Sequence, residues 1–407
     1  MVEMLTIESL GAQGDGVTAD GVFVPGTLPG ELVRANLQGH RADLVAIIDA
    51  APDRQPAACP HFDTCGGCSL QHASDGLLGV WKQDLVRKAL AARGISGVDI
   101  RTVLSSPPRS RRRVTFAGKR TKKGTLVGFH AAGSDAVIPV SSCTVATAGI
   151  MTVVPRLARV VEAGASRKGA LRISVTETEA GLDVSIDGGK PVEGGLYGEL
   201  VAFAATADLA RLSWDGETVV TRRPPIIAIG PAEVVPPPGG FLQATEAGQA
   251  ALIAAAKEAT SGARRIADLF AGSGTLTLPL AQSAEIHAVE SDAAALEALD
   301  IAWRQTAGLR RVGTETRDLY RRPLLPAEFG PFDAVVLDPP RQGARAQCEH
   351  LAKADIKQIA AASCNPATFA RDARMLLDGG FRLDWIQPID QFLWSPHVEL
   401  MAAFSRP

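Results

Sequence analysis

DLFAGSG, residues 268–274, follows the apolar run RRIA and leads into TLTLPLA. The pattern is a strand that ends in a glycine turn and enters a helix. Glycines at 272 and 274 let the backbone turn tightly and approach a ligand closely. Asp268 lies just before the turn, where a carboxylate can accept a hydrogen bond from a ligand ammonium, directly or through water. The next apolar run, EIHAVE, ends at Glu290. An acidic strand end about 20 positions on is placed to accept hydrogen bonds from ribose hydroxyls. Asp318 follows at the next expected strand end, and a fourth run, DAVVLD, ends in Asp338, Pro339 and Pro340.

The glycine turn alone leaves NAD and S-adenosylmethionine both open. A pyrophosphate helix wants a third glycine, and position 277 is Thr277. Adenosylmethionine carries no phosphate and dispenses with it.

Outward from the turn, RRIADLF, EIHAVE, DAVVLD and KQIAAAS alternate with helical stretches such as 245–258 and 366–378. That is the pattern of a parallel sheet wrapped by helices. It predicts an α/β, Rossmann-like domain over 236–407, entered through the Pro-rich hinge 233–240. Residues 53–235 read as a cysteine-bearing segment and a mixed α+β central domain. This region includes a helix from Trp81 to Arg93, stopped by Gly94, and a hairpin in LRISVTETEAGLDVSI. Residues 1–52 alternate short apolar runs with the turns GAQGDG and TLPGE, the pattern of a small OB-like β-barrel.

The 407 residues, 46% hydrophobic and 21% charged, exclude a disordered or fibrous chain. A net charge of −2 excludes a binder that is basic all over. No apolar run reaches the ~18 residues of a membrane span. The first residues, MVEMLTIESL, lack a secretory pattern, so a cytoplasmic protein is expected. Charge is uneven: eight of the fifteen residues from Arg109 to Lys123 are Lys or Arg. With Phe116 inside it, this run reads either as a phosphate track with one stacking residue or as a solvated charged strand.

Cys364, in SCNP, stands at the carboxyl end of KQIAAAS, where ligands bind in open α/β sheets. The helix beginning at Pro366 is expected to help lower its pKa, and the competing reading is a buried small hydrophobe. Carbon 5 of uracil is a poor nucleophile. A thiolate adding to carbon 6 makes an enolate whose carbon 5 can attack a methyl sulfonium, and a base then removes the carbon-5 proton. The chain offers Cys364, Glu399 as the carboxylate and the glycine loop as the donor site. Arg341 follows the two prolines where enzymes methylating exocyclic amines often carry an aromatic. Arg suits phosphate or an anionic ring oxygen, and Asp338 could bond the uracil edge.

Cys59, Cys65 and Cys68 are spaced C-x5-C-x2-C, with Cys143 farther on. Four thiolates suit tetrahedral zinc or a 4Fe–4S cluster, and spacing does not choose. Cys348 is left over and reads as structural.

Together GVFVPGTLPGELV, CPHFDTCGGCSLQH, GFLQAT, DLFAGSGTLTLPLA, VVLDPPRQGA, SCNPATFARD and DQFLWSPHVE carry a resemblance over nearly the whole chain. The chain resembles the bacterial RNA 5-methyluridine methyltransferases. The resemblance implies a TRAM-like RNA-binding domain at the N-terminus and S-adenosylmethionine as donor. It implies Cys364 as nucleophile and Glu399 as base, with Gln243, Phe270, Glu290 and Asp338 contacting the cofactor. Thr275 stands where the family often has Asn, and Asp318 fits an adenine-side position loosely. It also implies a 4Fe–4S cluster on Cys59, Cys65, Cys68 and Cys143. Barrel and cluster together point to the ribosomal RNA branch. The expected partner is an RNA loop, since its bases are partly splayed already, and the expected state is a monomer without membrane contact. The alternatives are a transfer RNA enzyme and a non-catalytic iron–sulfur RNA-binding protein.

Overall fold

The computed structural model describes residues 2–406, and its C-terminal part is built on a nine-stranded sheet. In spatial order the strands are Val312–Thr316, Glu285–Glu290, Arg265–Leu269, Ala334–Leu337, Gln358–Ser363, Glu399–Ser405, Arg382–Asp390 and Asp99–Ile100, with Leu104–Ser105 also beside Arg382–Asp390. The first five run parallel, and Glu399–Ser405 is antiparallel to both neighbours. Both faces are covered, which explains apolar runs without polar alternation. Ile266, Ala288, Val336 and Met401 share a core with helices Glu246–Ala259 and Ala293–Gln305. Ala267, Val289, Val335 and Ile359 share the opposite core with helices Asp75–Ala91, Arg345–Leu351 and Pro366–Asp378.

The two expected helices are found at Glu246–Ala259 and Pro366–Asp378. Each starts on a side-chain cap: Thr245 accepts from the Gly248 N–H at 3.0 Å, Asn365 from that of Ala367 at 3.0 Å. The helix expected from Trp81 to Arg93 instead spans Asp75–Ala91. Ser74 caps it, accepting from the Leu77 N–H at 3.1 Å, and Asp75 adds charge that suits the first turn. Gly94, at φ 67°, ends the turn that follows.

That helix, with Asp99–Ile100 and Leu104–Ser105, lies in the segment expected to accompany the central domain. It packs instead on the C-terminal sheet: Val86, Leu90 and Ile95 enter its core. Lys82, fully buried, pairs with Asp390 at 2.6 Å.

The central part is a seven-stranded sheet: Val137–Pro139, Gly124–His130, Arg113–Thr121, Ala170–Thr178, Gly181–Asp187, Arg211–Trp214 and Glu217–Thr221. The expected hairpin is its Ala170–Thr178 and Gly181–Asp187 pair. Helices Ala148–Gly164 and Gly195–Thr206 cover one face. Phe116 points into that core, fully buried and stacked on Phe129 at 4.8 Å between ring centroids. It is therefore no stacking platform for a base: Val114 and Phe116 occupy the apolar phase of the strand, and Arg113 and Thr115 the other.

Residues 2–49 form a six-stranded sheet. The run LTIESL is split between strands Val2–Thr6 and Ser9–Leu10. Between them the Ile7 and Glu8 N–H groups donate to Glu31 O and Val17 O, so the sheet curls back on itself. Arg54 closes its base through the buried carboxylate of Glu31.

Candidate active site

One cavity of about 1180 Å³ opens between the glycine turn, the carboxyl ends of the parallel strands, the central sheet and the cysteine segment. The residues assigned above to catalysis, donor and thiolate site all line it: Gln243, Phe270, Thr275, Glu290, Asp318, Asp338, Cys364 and Glu399, and Cys59, Cys65, Cys68 and Cys143. Asp268 does not. Its carboxylate is buried beneath the turn, accepting from Thr277 Oγ at 2.5 Å, while Oδ1 has no hydrogen-bond partner among the described residues. Burial, with Asp338 and Glu290 nearby, raises its pKa to about 7. The helix after the turn is a single turn, Thr277–Leu280.

Glu290 is fastened at its strand end. Its Oε2 accepts from the Gly272 N–H at 3.1 Å, and its Oε1 from the Ser291 and Asp292 N–H groups at 2.6 and 3.0 Å. Phe270 holds φ 65°, a left-handed conformation costly for a bulky side chain, and its ring meets Tyr320 at 5.4 Å. Asp318 lies two residues beyond the strand Val312–Thr316 rather than at its end. There it caps a turn by accepting from the Tyr320 N–H at 2.9 Å.

Cys364 and Glu399 meet through sheet register. Ser363 pairs with Leu400 in the antiparallel ladder, so the residue after one strand lies beside the residue that opens the other. The next loop is held to the helix behind Cys364: Asn365 Nδ2 and Thr368 Oγ donate to Arg341 O at 3.2 and 3.1 Å. Burial pushes the Cys364 thiol up to about 11; Glu399 and Asp338 add to the rise, and Arg341 opposes it. The expected lowering by the helix start is thus outweighed: desolvating a thiolate beside two carboxyls costs more than one helix end returns.

A chain of amides joins the acids. Gln391 Nε2 donates to Gln243 Oε1 at 2.7 Å, Gln243 Nε2 reaches Asp338 Oδ2 at 3.5 Å, and Gln391 Oε1 accepts from the Ala244 N–H at 3.0 Å. Glu399, buried, is held well above the ordinary carboxyl range by desolvation and by Asp338, while a bond from Gln391 opposes this. Asp338 itself is raised to about 6 by burial and by Glu290. Gln391 stands in the motif DQFLWSPHVE, but the motif assigned it no role. Its role depends on a fold that brings positions 243 and 391 together, and no local pattern reports that.

All six cysteines are free thiols. Among the described residues no group of three or more His, Cys, Asp or Glu is arranged to hold a metal ion. The donor set is nevertheless that of an all-thiolate group. Cys59, Cys65, Cys68 and Cys143 face one cavity, the Gly67 and Ala146 N–H groups donate to Cys65 Sγ and Cys143 Sγ at 3.4 Å each, and Arg111 offers a cation to Cys143 and Cys68. The segment is pinned to the loop that precedes Glu399, where the Ser69 and Leu70 N–H groups donate to Trp394 O at 2.9 and 3.1 Å. Cys348 is buried in the C-terminal core.

The sequence profile of the tRNA (Uracil-5-)-methyltransferase family matches residues 238–406. A Brucella suis protein named as an uncharacterised RNA methyltransferase is 44% identical over 99% of this chain and 97% of its own length. The 23S rRNA (uracil(1939)-C(5))-methyltransferase RlmD of Cronobacter sakazakii is 30% identical over 99% of this chain and 96% of its own.

The chain belongs to the RNA uracil-5-methyltransferase family.

As a member of that family it is an RNA methyltransferase. Its fold is that of the Pyrococcus abyssi tRNA (uracil-54, C5)-methyltransferase solved with S-adenosyl-L-homocysteine: TM-score 0.77 at 23% identity, over 98% of this chain and 99% of that one. Among the described residues no helix is long and apolar enough to cross a membrane.

Proposed function

We propose that this uracil-5-methyltransferase modifies a specific uridine of 23S ribosomal RNA through a covalent bond between Cys364 and carbon 6 of the base. The observation that carries the reading is the rung between Ser363 and Leu400, which sets Cys364 beside Glu399 at the mouth of the donor cavity. The ribosomal target draws on the relative at 30% identity, whose name specifies 23S rRNA.

S-adenosylmethionine supplies an electrophilic methyl group; Gln243, Phe270, Thr275, Glu290, Asp318 and Asp338 are the residues assigned to hold it. Cys364 loses its thiol proton to solvent, the thiolate bonds carbon 6, and the carbon 5–carbon 6 π electrons move onto the ring carbonyl. Arg341, a cation that favours the Cys364 thiolate, also suits the anionic ring oxygen. Once carbon 5 carries the methyl group, its bond to the donor sulfur broken and the donor left as the neutral thioether, Glu399 as carboxylate would take the carbon-5 proton. The electrons of that C–H bond restore the double bond and expel the Cys364 thiolate.

Cys59, Cys65, Cys68 and Cys143 are assigned to a 4Fe–4S cluster that holds the RNA-binding parts together, and residues 1–52 to a TRAM-like RNA-binding barrel. The convergence of four free thiols on one cavity supports the first, and the curled six-stranded sheet supports the second. The protein is taken to act in the cytoplasm as a monomer.

The test is incubation with labelled donor and, separately, 23S fragments and transfer RNA transcripts carrying 5-fluorouridine. Fluorine blocks proton removal, so a covalent protein–RNA adduct accumulates with the true substrate and is lost in Cys364→Ala. An adduct that survives that substitution overturns the mechanism, and one formed with transfer RNA alone overturns the target.

A further inference from the structure

The central sheet has two unlike faces. Strands Arg113–Thr121 and Ala170–Thr178 send Phe116, Ile173 and Val175 into the core under the helices. The register pairs Arg113 with Thr176, Thr115 with Ser174 and Ala117 with Arg172, so these residues share the opposite face. Of these, Arg113, Thr115 and Arg172 line the catalytic cavity.

Their charges are not balanced by the protein. Arg112 turns inward to Gln249 at 2.7 Å and approaches Glu246 at 4.0 Å. Asp183, the acid that acts on Arg113, is taken up by Arg211 through two bonds of 2.9 and 2.7 Å. Arg111 serves the cysteine side, beside Cys143 and Cys68 and 5.6 Å from the Phe392 ring. Neither Arg113 nor Arg172 has a carboxylate within 4.0 Å among the described residues. Burial, then Arg172 and Arg111, pull the Arg113 pKa down, and Asp183 opposes them only in part. Arg113 is nonetheless aimed, because its Nη2 donates to Gly239 O at 2.8 Å. Guanidinium forks left in this state are suited to oxyanions, phosphate above all.

We propose that Arg113 and Arg172, with the Thr115 hydroxyl between them, bind backbone phosphates of the acceptor RNA as it crosses the central sheet toward Cys364. The site rests on the RNA-methylating function proposed above. It gives affinity and direction without reading bases. It also divides the basic run seen in the sequence: one member turns inward, another serves the thiols, and Arg172 comes from a different strand, paired with the first across the sheet.

The experiment measures affinity for an RNA substrate against salt concentration in the full-length protein and in Arg172→Gln, Arg113→Gln and Arg156→Gln. Arg156 lies on the helix Ala148–Gly164 behind the sheet and serves as the charge control. Each phosphate that is no longer neutralised flattens the slope of log affinity against log salt by about 0.7–0.9, which is roughly fivefold weaker binding at about 0.1 M salt. Arg172→Gln and Arg113→Gln are expected to flatten it, and Arg156→Gln is not. Adenosylhomocysteine affinity, expected to be unchanged in all three, reports that the C-terminal domain is intact. Unchanged slopes with normal methylation of RNA by the wild type overturn this site alone, as does equal flattening by Arg156→Gln. A wild type that neither binds nor methylates RNA overturns the functional reading first and this site with it.

Discussion

Asp338 stands beside the carboxyl of Glu399: burial raises Glu399 well above the ordinary carboxyl range, and the neighbouring acid raises it further. The group assigned to remove the carbon-5 proton is therefore harder to ionise than an ordinary carboxyl.

Replacement of Glu399 by Gln should separate the two halves of the reaction. Sulfur attack and methyl transfer need no carboxylate, whereas elimination does. Turnover should fall by about 10²–10⁴-fold, and an adduct with ordinary uridine RNA should become isolable on a denaturing gel. Full turnover in this variant would assign the base elsewhere.

The same substitution has a sign for stability. A carboxyl whose folded pKa lies above its unfolded value contributes stability at low pH, and that contribution is lost as pH rises through the folded pKa. Glu399 and Asp338 are both of this kind. Glu399→Gln should therefore gain in thermal midpoint over the wild type as pH rises above the ordinary carboxyl range. A difference that does not change with pH would show that folding does not raise Glu399.

The Cys364 thiol, raised to about 11, sets the pH profile of attack. Below that pKa the thiolate fraction grows about tenfold per pH unit, so kcat/KM should climb with pH through neutrality. Arg341→Gln removes the opposing cation, so the profile should move to higher pH and activity at neutrality should drop. A profile that is flat from about pH 7 to about pH 9 would mean that bound RNA lowers the thiol on its own.

Gln391→Leu keeps the size of the side chain and removes its hydrogen bonds. Gln243, the Ala244 N–H and Glu399 are each left short of a partner. Each buried polar group left unpaired costs about 1–3 kcal/mol, so the thermal midpoint should fall and methyl transfer with it. Normal activity at a reduced midpoint would make the amide chain a matter of folding alone.

Phe116 offers a control on the RNA interface. Truncation to Ala should destabilise the protein by about 3–5 kcal/mol, as for a buried Phe, read by denaturant unfolding. RNA binding by the folded fraction should be unchanged, because the ring never reaches the cavity.

Much of the C-terminal domain was legible because its signals are local. The run EIHAVE became the strand Glu285–Glu290, and SCNP placed the start of the helix at Pro366 through the Asn365 cap. Other features were hidden because they depend on partners far along the chain. The helix at Asp75–Ala91 reads as part of its neighbours until Lys82 meets Asp390. Phe116 looks like a stacking residue until the strand phase turns it inward. The thiol pKa went the other way from expectation because a helix start is visible in sequence, whereas two approaching carboxyls are not.

The rung between Ser363 and Leu400 bears on how such enzymes diverge. The residues assigned as nucleophile and base are distant along the polypeptide but held by neighbouring rungs of one ladder, so loops between the intervening elements can change length while the pair stays in phase. Insertions are best tolerated at the turn around Gly380, whose backbone sits at φ 89° with open space beside it. A single-residue deletion within Gln358–Ser363 would reverse which side chains face the substrate and silence the enzyme without touching either reactive group. Alignments that weigh this ladder above the spacing between the two motifs should recover remote members whose loops have drifted.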